Sequence, residues 1–223
     1  MLSADRLAAS AACLIRSLIS AMRVFMSMPR LLAALRSFRK PLKSGYPRLV
    51  VLTDDGRGYD LARQSLVCPP EAILIERTYG KKAAPRSHAK GRQPIRLATV
   101  SPREAREGGL DGVHWPESRM RLRRRSAVGG LIETASAHRG LSIAKANKQG
   151  IRAILISVAF PSQSPSANRP GASKAKGSIR LAFLQQAFPA CDLYGLGGIQ
   201  AKTTRYLARS GLYGVALISG LTK

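Results

Sequence analysis

Tyr194-Gly195-Leu196-Gly197-Gly198-Ile199 opens the stretch that decides the fold, and Gly214-Val215-Ala216-Leu217-Ile218-Ser219-Gly220-Leu221 closes it. A polar segment with helical character separates them, so the order reads strand, glycine turn, helix, strand, glycine turn. Two apolar strands ending in Gly-Gly-Ile and Ile-Ser-Gly present backbone N–H groups, clear of side chains, at one end of a parallel sheet. Such a pair is a phosphate cradle. In a β/α barrel the cradle belongs to the loops after the seventh and eighth strands, and this pair comes last in the sequence. The expected fold is therefore α/β, a single (β/α)8 TIM barrel.

Upstream, the same reading finds six more apolar runs. They are Arg48 to Asp54, Ala72 to Arg77, Ile95 to Val100, Asp111 to Trp115, Leu131 to His138 and Ala153 to Phe160. Helical segments are expected through Leu61-Ala62-Arg63, from Pro102 to Glu107 with proline at an early position, and from Ile179 to Phe188 behind a Ser178 cap. Lys81 to Gln93 is basic and broken by Ala, Ser, Gly and Pro, and does not read as a full helix. Arg119 to Arg125 reads as a solvated basic helix face, since no aromatic platform accompanies its arginines.

The 223 residues suit one barrel of the usual ~200–250 residues, and a composition 45% hydrophobic with 5% aromatic supplies a packed core. Lys and Arg number 37 against 12 acids, a formal charge of +25, which favours phosphates, nucleic acid or anionic surfaces without choosing among them. Cys13, Cys68 and Cys191 show neither disulfide nor zinc spacing, and a reducing cytoplasm is the simplest home. Residues 1–45 form a basic amphipathic extension, with Ile15, Leu18, Ile19, Met22 and Met26 at helical spacing, ahead of a barrel over residues 46–223. Arg6, Arg16, Arg23 and Arg30 interrupt any run approaching the ~20 apolar residues of a membrane span. The extension's acid-poor composition fits a targeting peptide or an uncleaved segment, with Met26 and Met28 as later starts, and the barrel core is expected not to need it.

Taken as a set, Leu52-Thr53-Asp54, Gly109-Leu110-Asp111-Gly112-Val113-His114, Ser136-Ala137-His138, Phe160-Pro161-Ser162, Gly197-Gly198-Ile199 and Leu217-Ile218-Ser219 resemble the thiamine-phosphate synthase/TenI family of β/α barrels. The resemblance implies a thiamine-biosynthesis protein that binds thiazole phosphate, with Gly197, Gly198, Ser219 and Gly177 around the phosphate. Arg77, Ser136, Ser162 and Ser164 are implied as further substrate contacts, and His138 as the proton-transfer residue of the tautomerase branch. Departures are concentrated on one side. Where the family carries Asn-Asp-Arg this chain has Thr99, Val100 and Ser101, and where it carries Gly-Gln-Glu-Asp the chain has Pro116, Glu117, Ser118 and Arg119. Both aspartates that hold magnesium in the synthases are missing, so no metal site is expected, and magnesium would serve only an active synthase. Pro165 stands in place of a family lysine, for which Arg169 or Lys174 are candidate substitutes.

Three functions follow as expectations. The first is a TenI-like thiazole tautomerase or binder, which needs a phosphate anchor and one acid/base residue. The second is a thiamine-phosphate synthase, a transferase joining hydroxymethylpyrimidine pyrophosphate to thiazole phosphate. The third, from a different class, is a basic module that binds nucleic acid without sequence preference on a barrel core.

Overall fold

The computed structural model describes residues 28–38, 45–86, 91–124, 127–162, 170 and 174–219. Eight short strands run β1 (Leu49–Leu52), β2 (Ile73–Glu76), β3 (Ile95–Ala98), β4 (Gly112–Trp115), β5 (Ile132–Ala137), β6 (Ala153–Ser157), β7 (Asp192–Leu196) and β8 (Gly214–Leu217). Each pairs in parallel with the next, and β8 returns to β1 to close the barrel. The first six strands lie within their expected apolar runs, and all of these but β4, which ends with its run at Trp115, stop sooner as the chain leaves the ladder and turns towards the rim.

Helix α1 covers 28–35, α2 Leu61–Val67, α3 Pro102–Glu107, α4 Gly140–Lys148, α5 Gly177–Ala187 and α6 Ala201–Arg209. Local chemistry sets several boundaries. The Asp60 carboxylate caps α2 by accepting from the Arg63 N–H at 2.9 Å. A capping box of Ser101 and Glu104 with Pro102 in the first turn starts α3. Ser178 is not a cap: α5 opens one residue earlier, at Gly177, after Lys176. The arginine-rich stretch after β4 forms a 3-10 segment, Glu117–Leu122, rather than a full helix.

Alternation along the strands divides the interior into two layers. Val51, Leu74, Ile154, Ile156, Leu193 and Val215 face outwards into one cluster with Ile143, Leu181 and Leu207 from the helices. Val50, Leu52, Ile73, Ile75, Leu97, Leu155 and Ala216 fill the barrel itself. Its N-terminal end is closed by two tyrosines in edge-to-face contact, ring centroids 5.3 Å apart. The Tyr194 hydroxyl donates to the Pro47 carbonyl at 2.9 Å, and that of Tyr213 to the Tyr46 carbonyl at 2.6 Å.

One wall is built differently. Among the described residues no helix joins β2 to β3, and two of the outward positions there, Glu76 and Arg96, are charged rather than apolar. Glu76 and Arg96 form an ion pair at 2.7 Å. Arg96 also donates to the carbonyls of Ala84 at 2.7 Å and Pro85 at 2.9 Å. Glu76 accepts from the Ala84 N–H at 3.1 Å. An extended segment has unpaired backbone groups that a helix would have satisfied internally, and the charged pair supplies their partners.

The extension is not wholly outside the core. Leu31, Leu35 and Phe38 are buried and belong to the same cluster as the outward faces of the strands, so residues 28–38 contribute to barrel packing. Periodicity exposes an apolar stripe but not the surface that covers it. Residues 1–27 lie outside the described part. Cys68 and Cys191 are free and buried, and burial pushes the Cys68 thiol up to about 12, leaving it unreactive. Among the described residues no helix is long and apolar enough to cross a membrane.

Candidate functional site

The C-terminal ends of the strands surround a cavity of about 1150 Å3. Most residues singled out from sequence are in its wall: Arg77, Ser136, His138, Ser162, Gly197, Gly198 and Ser219. Two are not. Ser164 lies outside the described residues, and Gly177 begins α5 away from the wall, its N–H donating to the Ala159 carbonyl at 2.9 Å. That amide is committed to the chain.

The β7 side is made of backbone. Gly197 and Gly198 have φ of +98° and +65°, left-handed values that favour glycine. They also lie hard against the loop after β6. A Cβ on Gly198 would meet the Pro161 carbonyl oxygen at 2.5 Å, and one on Gly197 would meet Val158 at 2.9 Å. The carbonyls of Leu196 and Gly197 accept from Ala159 and Phe160 at 2.8 and 3.1 Å, whereas no backbone acceptor among the described residues takes the N–H of Gly197 or Gly198. Helix α6 starts directly behind this turn, so its positive end faces the same space. Ser219, just past β8, completes that side of the wall.

The β2 to β4 side is made of charged side chains. Arg57, Arg77 and Arg119 all line the cavity. The Arg77 guanidinium pairs with Asp54 at 2.7 Å, donates to the Thr53 carbonyl at 2.6 Å and stacks over Tyr79. Arg119 donates to the Thr99 carbonyl at 3.0 Å. A guanidinium thus stands at the position where the resemblance led an acidic group to be expected.

Two histidines lie between these sides in different environments. His114 is buried, with Nδ1 2.8 Å from the Thr134 hydroxyl and Nε2 2.8 Å from the Ser136 hydroxyl. Burial, and then the Arg77 guanidinium, push it down to about 3, so it is a neutral link that orients Ser136 rather than an acid. His138 is exposed at the rim. Its Nδ1 lies 2.6 Å from Glu117 Oε2, which also accepts the His138 backbone N–H at 2.8 Å. The other Glu117 oxygen accepts from the Ser142 hydroxyl on α4. Burial raises the Glu117 carboxyl, but the hydrogen bonds from Ser142 and His138 together outweigh it and hold the group below its ordinary value.

The sequence singled out neither the Glu117–His138 pair nor Lys176. Glu117 and His138 follow different strands, and only the barrel's register brings them together. The Lys176 ammonium donates to the carbonyl of Ser157, a cavity residue, at 2.5 Å. Burial, and then Arg180, lower its pKa, with Glu117 acting the other way. Lys176, rather than Lys174, is the cation seen at the end of β6, and Arg169 lies outside the described residues.

The donor set does not fit a magnesium ion. Among the described residues no three His, Cys, Asp or Glu side chains gather as metal ligands. The two nearest carboxylates are engaged, Asp54 by Arg77 and Glu117 by His138 and Ser142.

A family model described as thiamine monophosphate synthase (TMP-TENI) matches residues 102–221, from α3 to beyond β8. No curated protein matches the chain. Among solved structures, a thiamine phosphate pyrophosphorylase from Pyrococcus furiosus is 19% identical with a TM-score of 0.56, over 77% of this chain and 85% of that one. A structure described as native KDPGal is 15% identical at 0.51, over 80% and 85%. A glycerol uptake operon antiterminator regulatory protein from Listeria monocytogenes is 10% identical at 0.51, over 80% and 95%. At these identities the structural likeness concerns the fold alone.

Proposed function

Because the chain belongs to the thiamine monophosphate synthase/TenI family, a family of thiamine-biosynthesis barrels, we propose that its cavity binds thiazole phosphate and catalyses a proton transfer, the tautomerisation of the thiazole. The phosphate sits on the Gly197–Gly198 amides and Ser219, at the positive end of α6. The thiazole ring then lies towards Ser136, Ser162 and His138. His138 removes a proton from one ring position as the neutral imidazole and returns it at another as the imidazolium, so no atom is gained or lost.

The observation that carries this reading is the pairing of His138 with Glu117, the one carboxylate among the described residues that line the cavity. A synthase must stabilise departing pyrophosphate, and at the positions where the resemblance puts its magnesium aspartates this chain has Val100 and Arg119. Tautomerisation asks for one base and an anchored substrate.

Two assays run side by side test the proposal. One follows tautomerisation of thiazole phosphate; the other supplies hydroxymethylpyrimidine pyrophosphate, thiazole phosphate and magnesium and follows thiamine phosphate. The expected result is turnover in the first and none in the second. Thiamine phosphate formation would establish the synthase reading instead.

A further inference from the structure

Glu117 begins the 3-10 segment after β4, and His138 directly follows β5. The barrel brings the two strand ends side by side, with Trp115 opposite Ala135 in the ladder. One carboxylate oxygen then accepts two hydrogen bonds from a single residue, 2.8 Å from the His138 backbone nitrogen and 2.6 Å from Nδ1. Ser142 holds the other oxygen from α4. Three bonds from two elements prevent the carboxylate from turning away.

An ionised carboxylate accepts and cannot donate. A neutral imidazole carries one proton, so a ring nitrogen 2.6 Å from that carboxylate is the one that bears it. Nε2 is then left with its lone pair. Among the described residues no protein group is bonded to Nε2, and the ring forms part of the cavity wall. We infer that Glu117 is a positioning residue, which locks His138 in the Nδ1–H tautomer and so makes Nε2 the atom that takes the substrate proton. This rests on the reading of the cavity as a proton-transfer site and identifies the atom that performs the transfer. When Nε2 gains its proton, the imidazolium forms beside a fixed negative charge, which lowers the barrier to that step.

Nitrogen-15 spectroscopy of the imidazole rings in the full chain reads the tautomer without any substrate. The His138 signals are assigned by their loss in His138→Asn. At a pH where the ring is neutral, wild type should show a protonated Nδ1 and a bare Nε2, and Glu117→Ala should move His138 towards the Nε2–H form that a free side chain favours. A wild-type His138 with its proton on Nε2 overturns the inference. In the tautomerisation assay, Glu117→Ala should lower kcat about 10- to 100-fold with KM within about twofold. Glu117→Gln, which retains an acceptor but not the charge, should fall between it and wild type. A change confined to KM would place Glu117 in substrate binding and overturn the positioning role. No turnover in a wild type that shows the expected tautomer would instead refute the tautomerase reading, leaving the tautomer assignment standing.

Discussion

The two sides of the cavity are held open by different means. On the β7 side the wall is a glycine turn pressed against the loop after β6, with backbone amides rather than long side chains towards the cavity. On the β2 to β4 side it is made of guanidiniums, each held by a carbonyl or a carboxylate. A backbone cradle is specified by glycine at fixed φ and tolerates little change. A side-chain wall can exchange an acid for a base without disturbing the fold. It follows that substitutions on the two sides should fail in different ways.

The largest effect is expected where the sides meet. His138→Asn removes the base and leaves both walls intact, so kcat for tautomerisation should fall by about 10^2 to 10^4 while affinity for thiazole phosphate holds within about twofold. Isothermal titration beside the kinetics checks this, and a parallel loss of affinity would place His138 in the binding wall.

Gly198→Ala comes next and strikes the backbone side. At φ +65° an alanine is strained by about 1–2 kcal/mol, and its Cβ would lie 2.5 Å from the Pro161 carbonyl oxygen, an atom with little freedom to withdraw. Affinity for phosphate ligands should drop at least ~10-fold as the amides turn. Gly211→Ala is the control, with φ +72° and nothing within 4 Å of the added Cβ. It carries the same backbone strain and should lose stability without losing affinity. Equal affinity losses in both would mean that the effect is global.

The third prediction concerns His114, which ties Ser136 to the barrel interior. In the unfolded chain a histidine titrates near ~6.5, whereas the folded value is about 3. Between these values the unfolded chain binds a proton that the folded chain refuses. The contribution to stability is therefore complete above pH ~6.5 and is lost as the pH falls towards 3. The slope is about 1.4 kcal/mol per pH unit, so denaturant unfolding of wild type should lose about 2 kcal/mol more than His114→Asn between pH 7 and pH 5. Comparing the two variants cancels the other titrating groups. Equal slopes would mean that His114 takes up its proton without unfolding.

These sites differ in how far the sequence discloses them. All eight strands are legible because parallel barrel strands are buried on both faces and so form continuous apolar runs. Their ends are less legible, since residues such as Val158 to Phe160 remain apolar while leaving the ladder to pack against Gly197 and Gly198. The glycine cradle can be read because two glycines in succession at a strand end have few other uses. The Glu117–His138 pair cannot, because its members are 21 residues apart on neighbouring strands and depend on ladder register. Charges at Glu76 and Arg96, on faces where a barrel normally turns apolar residues towards a helix, carried a signal that the β2–β3 wall lacks one. Burial of Leu31, Leu35 and Phe38 had no such signal, for an amphipathic stripe looks the same whether it meets a barrel, a membrane or another chain.

The smallest expected effect is that of magnesium, and it tests the comparison directly. If the β2 to β4 side has exchanged metal ligands for guanidiniums, adding magnesium at millimolar concentration should change phosphate-ligand affinity and tautomerisation by less than about twofold. A divalent cation needs hard, charged oxygen ligands, and it would have to displace Arg77 from Asp54 or His138 and Ser142 from Glu117 to obtain them. It would also approach Arg119, whose guanidinium is held in the wall by the Thr99 carbonyl, at a Coulomb cost that no new bond offsets. Arg119→Asp sharpens the test by replacing the repelling cation with a carboxylate on the same scaffold. That variant should respond to magnesium where wild type does not, and calorimetric titration with and without chelator measures both. A wild-type affinity that collapses on chelation and returns with magnesium would show that Asp54 or Glu117 leaves its present partner to serve the metal, and that the two sides are less different than their hydrogen bonds indicate.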